Sequence, residues 1–192
     1  MAHLRILHRG FTGPAALAAL MAVFAFSGAG QAGDRPPGQA REGLRLAQEA
    51  AFAWAHDAHL AYLENDEPLS ESGAAARWGY LFYAPSRDAA RGYSVEGGKI
   101  VQATDLSVRF EAPPISDSWI DSQAALAAAR QALRGNRAGD GPPSTMLLMR
   151  GAFDEKEPDR TCGLICYRAP GSPSLFVVVD AGSGSFVRTW KG

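Results

Sequence analysis

Between residues 40 and 64, apolar side chains recur three and four positions apart, at Leu44, Ala47, Ala51, Trp54, Ala55, Ala58 and Tyr62. That spacing predicts an amphipathic helix from Ala40 to Glu64. Its solvated stripe carries Glu42, Arg45 and Glu49, and His56 and His59 fall on the same side. A polar, proline-containing loop follows over 65–76. The period then changes to two: Arg77 to Ala84 (R-W-G-Y-L-F-Y-A) sets Trp78, Tyr80 and Phe82 against Leu81 and Tyr83, an aromatic strand. After a turn at 85–91, the runs 92–96 and 99–104 flank Gly97-Gly98, a pair suited to the positive φ angles of a tight hairpin. Pro113 and Pro114 end the pattern.

The second half has a similar order. Asp121 or Ser122 can cap a helix running through Ala124, Leu126, Ala129 and Leu133 to Gly135. Thr145–Arg150, Ser174–Asp180 and Phe186–Trp190 read as strands, and the stretch through Cys162 to Ser172 reads as a long excursion. The expected fold class is therefore α+β. Two repeated helix-plus-antiparallel-meander units, 41–112 and 113–192, would form a two-layer helix-on-sheet domain.

The N-terminus is organised differently. Arg5, His8 and Arg9 precede an uncharged apolar run from Ala15 to Phe26, and small residues follow, including Ser27, Ala29, Gly30 and Ala32. This is the order of a secretory signal peptide, expected over 1–32. The run is short for a membrane span of about 20 residues. Its alanine-rich, arginine-bearing leader points to the bacterial periplasm or to secretion. Residues 33–40, with consecutive prolines, are expected to be a disordered lead-in. Loss of 1–32 removes two arginines and leaves 17 bases against 20 acids. With charges so balanced, nucleic-acid binding is not expected, and membrane contact is expected only through the leader.

Cys162 and Cys166 are the only cysteines. In an exported chain such a pair is most simply a disulfide. The rival reading is copper or zinc held by the two thiolates, which would make this a copper- or redox-linked envelope protein. After export only His56 and His59 remain as histidines, three apart on the expected helix, and their solvated position argues against a metal site there. No nucleophile elbow, P-loop or dinucleotide fingerprint is present. The acids of D-E-K-E-P-D-R (154–160) lie in a hydrophilic loop, unlike the desolvated carboxylates of general acid–base catalysis. Neither an enzyme nor a cofactor is expected.

The aromatic residues supply the candidate binding surface. Trp78, Tyr80 and Phe82 share one strand face, which packing on a helix would bury, and Trp119 and Trp190 stand at element ends where they could rim a groove. The closing run Val179-Asp180-Ala181-Gly182-Ser183-Gly184, placed after a helix and strands, resembles the hairpin of the PepSY domain family. Tyr93 to Gly98 gives a weaker echo. The resemblance covers residues 119–190 best and 41–110 loosely. It implies a secreted, non-catalytic α+β module associated with peptidase propeptides or envelope regulation. The expected function is thus a binding module for an envelope protein or peptide, a peptidase included, acting through a sheet edge or a sheet face. A small-molecule pocket between helix and sheet is the further alternative.

Overall fold

The computed structural model describes residues 36–106, 113–135, 143–154, 156–168 and 171–192. The expected signal peptide, 1–32, lies outside the described residues. The elements in chain order are α1 (Leu44–Trp54), β1 (His59–Asn65), β2 (Arg77–Ala84), β3 (Ala89–Glu96), β4 (Lys99–Leu106), α2 (Ser122–Ala132), β5 (Thr145–Arg150), β6 (Thr161–Tyr167), β7 (Leu175–Asp180) and β8 (Phe186–Lys191). A single 3₁₀ turn, Pro85–Arg87, joins β2 to β3.

All eight strands belong to one sheet, ordered β4-β3-β2-β1-β5-β6-β7-β8, with every neighbouring pair antiparallel. This corrects the expectation of two repeated helix-plus-meander units. The ladder between β1 and β5, with Leu63 opposite Leu148, makes the sheet continuous through its centre. Two strands were not anticipated. The helix expected to reach Glu64 stops at Trp54, where Ala55 turns to an extended conformation, and His59–Asn65 becomes β1. The expected excursion contains β6. Both are inner strands buried on both faces, so their sequences lack the period-two alternation that marks a half-buried strand.

Both helices pack on the same face of the sheet, and the fit is made from opposite residue sizes. The helices contribute mainly alanine (Ala47, Ala51, Ala125 and Ala129), whereas the sheet contributes Trp78, Tyr80, Phe82 and Tyr93. Small helix residues allow close approach. At Gly43, before α1, a Cβ would stand 2.7 Å from Tyr80 Oη. The aromatic polar tips are satisfied from the α1 side, as buried Tyr and Trp require. Trp78 Nε1 donates to the Gly38 carbonyl (2.9 Å), Tyr80 Oη to that of Ala40 (2.7 Å) and Tyr93 Oη to that of Ala50 (3.2 Å). Residues 38–41 are therefore tied down. Ser122 Oγ accepts from Ala40 N and donates to Gln39 Oε1, and the Arg41 guanidinium lies 4.2 Å above the Trp119 ring.

The hairpin at Gly97-Gly98 forms as its sequence suggests, with φ of 56° and 75°. Asp121 caps α2 by accepting from Ser122 N. Both outer strands, β4 and β8, carry an irregularity in register, between Ser94 and Val95 opposite β4 and between Val178 and Val179 opposite β8.

Candidate functional site

Directly opposed residues of antiparallel strands share a face, so the register maps the side of the sheet away from the helices. One row crosses all eight strands: Gln102, Ser94, Gly79, Glu64, Leu147, Leu164, Val178 and Arg188. A flanking row runs Thr104, Gly92, Leu81, Tyr62, Met149, Cys162 and Asp180. At the β1–β5 seam Glu64 lies opposite Leu147. Beyond it the face is apolar, and Phe153 from the β5–β6 loop joins Leu147, Leu164 and Val178 in one buried cluster. Around that cluster Leu106, Met149, Phe176, Val187 and Trp190 remain only partly covered, and the Phe176 and Trp190 rings stack at 5.0 Å.

On the β1–β2 side the same apolar cluster continues through Tyr62, Leu81, Tyr83 and Ala90, and acids stand beside it. Tyr62 Oη donates to Glu64 Oε2 at 2.6 Å, and Ser94 Oγ donates to Asp66 Oδ2 at 2.6 Å. The Arg77 guanidinium reaches Glu67 at 2.7 Å, Asp66 at 3.7 Å and Glu96 at 3.8 Å. Burial pushes the Glu64 carboxyl up to about 7, the nearby Asp66 charge adds to the rise, and the Tyr62 hydrogen bond opposes it. Burial likewise raises Asp66, against the pull of Ser94 and Arg77. This cluster escaped the sequence reading because Tyr62 and Glu64 were assigned to a helix end. The acid run E-N-D-E following an apolar stretch was its only trace.

At one end of the sheet a cleft of about 670 Å3 is lined by Pro114, Arg150, Asp159, Arg160 and Asp180, among others. Its cations are already matched: Arg160 contacts Asp154, Glu157 and Asp180, and Arg150 contacts Asp159. Asp180 also accepts from the backbone and hydroxyl of Ser183 and from Gly182 N, which organises the closing turn. Burial pushes its carboxyl up, yet those bonds and Arg160 outweigh it and hold Asp180 below the usual range.

The five aromatic residues proposed as a binding surface do not form one surface. Trp78, Tyr80, Phe82 and Trp119 are buried in the helix-side core. Trp190 lies half-buried on the other face. The expected disulfide is corrected too. Cys162 and Cys166 are free and sit four residues apart on one strand, pairing with Met149 and Thr145. Four residues of strand span about 13 Å, far beyond the Cα separation of about 7 Å that a disulfide tolerates. The same separation stops both sulfurs from binding one ion, and burial pushes the Cys162 thiol up to about 12. The two histidines do not share a helix face either: His56 follows the end of α1 and His59 begins β1. Among the described residues no group of three or more His, Cys, Asp or Glu could hold a metal ion. No helix among them is long and apolar enough to cross a membrane.

No family model matches the chain, and no curated protein matches it. Among solved structures, the fold is similar to one described as a "putative lipoprotein" from Clostridium difficile, with a TM-score of 0.52 and 11% identity over 83% of this chain and 97% of that one. At this identity the likeness shows a shared fold and nothing finer.

Proposed function

We propose that this chain is an exported, non-enzymatic binding module of the cell envelope that holds a polypeptide segment on the face of its sheet away from α1 and α2. The observation that carries this reading is the incompletely covered apolar rim, Met149, Phe176, Val187 and Trp190, on the face that both helices leave. The leader pattern of residues 1–32 and the label of the structural neighbour support an envelope address. The face is favoured over strand addition at an edge because β4 and β8 each carry a register irregularity, a device that disrupts further pairing. It is favoured over thiol chemistry because the two cysteines are buried and too far apart to act together.

The test is selection of peptides from a random dodecapeptide display library on immobilised chain 33–192. Peptides that bind, and that lose binding to Trp190→Ala and Met149→Glu while tolerating Phe52→Ala on the exposed side of α1, support the reading. Failure to select any peptide, or loss only with Phe52→Ala, contradicts it.

A further inference from the structure

Deepening that reading of the sheet face, we infer that in the full chain the apolar run of the leader, residues 15–26, lies on this same face, and that removal of 1–32 opens it to the bound polypeptide. The described elements leave a burial there without a cause. Tyr62, Leu81, Leu147, Leu164 and Val178 all point away from α1 and α2, and each is 2% exposed or less. Side chains stand upright on a sheet, so their tips stay dry only under a second layer. Among the described residues, the apolar side chains packed in this cluster come from the strands themselves, apart from Ala152 and Phe153. Those two lie beside β5 and β6, whereas the cluster reaches from Ala90 on β3 to Val178 on β7.

The rest of the chain supplies one segment with the composition for a covering layer. Residues 107–112 (S-V-R-F-E-A) interrupt their apolar positions with Arg109 and Glu111. Residues 136–142 (N-R-A-G-D-G-P) carry no apolar side chain beyond Ala138 and Pro142, and 155 and 169–170 are too short. Residues 15–26 hold no charge and include Leu17, Leu20, Met21, Val23, Phe24 and Phe26. Reach is sufficient too. Gly38 exchanges both backbone bonds with Ala75 at 3.0 Å, just before β2, so the chain enters at that end of the sheet. The linking residues 27–35 extend to about 30 Å, against a spacing of about 10 Å between packed layers. They can round the end of the sheet to its other face. A run of about 12 residues is at least about 18 Å long, the width of roughly four strands.

The experiment uses chain 1–192 made by cell-free synthesis, with retention of the leader checked by intact mass. A photo-crosslinker, p-benzoylphenylalanine, replaces Phe24, and the crosslinked residues are mapped by mass spectrometry. Crosslinks within one chain to Leu81, Leu147, Leu164 or Val178, or to their strand neighbours on that face, are expected. In parallel, the strongest dodecapeptide selected on chain 33–192 is titrated into both chains. A tethered segment competes at a high effective concentration, so the peptide should bind 1–192 more weakly by about tenfold or more. Val23→Asp with Phe24→Asp in 1–192 should restore the affinity. Crosslinks confined to the helix side, crosslinks only between chains, or equal peptide affinity for the two chains overturn the inference and leave the sheet-face reading intact. Failure to select any peptide on 33–192 contradicts the sheet-face reading instead, and the crosslink map alone then decides where the leader lies.

Discussion

Tyr62 donates its phenolic proton to Glu64, two residues along the same strand, at 2.6 Å, and among the described residues this is the one hydrogen bond at that buried carboxylate. One phenol is thin compensation for burying a charge. The pair sits at the β1–β5 seam of the sheet, opposite Met149 and Leu147, and several consequences can be measured.

The first concerns pH. Glu64 has a usual value of 4.5 and rises to about 7 in the folded chain, chiefly through burial. The folded state thus holds a proton that the unfolded state releases, and stability falls as pH rises from about 4.5 through 7. Asp66 is raised as well and acts in the same sense, whereas the lowered Asp180 acts oppositely and at lower pH. Glu64→Gln removes the Glu64 contribution. The variant is expected to match the native chain near pH 4.5 and to exceed it at pH 8 by on the order of 2–3 kcal/mol. Urea unfolding at the two pH values checks this, and a variant less stable at pH 8 contradicts it.

The thiols are separate, and reductant should therefore change nothing. The intact mass of the purified chain is expected to equal that of the fully reduced form, and dithiothreitol should leave Tm where it was. Both cysteines should react with a thiol reagent only after unfolding, since both are buried. A mass two units lower that reductant restores would overturn the strand assignment of β6.

The closing turn depends on Asp180. Its Oδ1 accepts from Gly182 N, Ser183 N and Ser183 Oγ, while Oδ2 faces Arg160 at 3.7 Å. Asp180→Ala strands those donors and is expected to destabilise by about 1–3 kcal/mol. Asp180→Asn keeps the acceptor and should cost less. Equal thermal stability of the two variants would show that the turn does not rely on this carboxylate.

The helix side offers a packing test. Leu126 is 1% exposed on the buried side of α2, so Leu126→Ala should cost about 2–5 kcal/mol. Tyr80→Phe removes the hydroxyl that donates to the Ala40 carbonyl and is hydrogen-bonded to the Gly43 backbone, and should cost about 1–2 kcal/mol. Denaturant midpoints separate the two. A Tyr80→Phe loss as large as that of Leu126→Ala would mean that anchoring of the segment before α1 matters more than core volume.

How far the sequence could be read follows the burial of each strand. The α2 cap at Asp121, the Gly97-Gly98 hairpin and the aromatic β2 all carry local chemistry and were legible. The inner strands β1 and β6 were not, because two covered faces erase alternation: β1 looks like the end of a helix, and the cysteines of β6 look like a turn. Those two errors hid the site. With β1 taken for helix, Tyr62, Glu64 and Asp66 could not be placed near Arg77 and Ser94, whose proximity depends on β2 lying next to β1 and β3 next to β2. The prominent aromatics drew notice instead, and two of them, Trp78 and Tyr80, prove to be, with Tyr93, the sheet's hydrogen-bonded holdfasts for α1 and the segment before it.

Binding at the sheet face away from α1 and α2 can be read at individual methyl groups. The most direct measurement is methyl NMR of chain 33–192 titrated with a selected dodecapeptide. The methyl signals of Met149, Leu147, Leu164 and Val187 are expected to shift while those of Leu60, Leu126 and Val177, on the helix side, do not. Shifts confined to the helix-side methyls, or no shift in either set at saturating peptide, would contradict it.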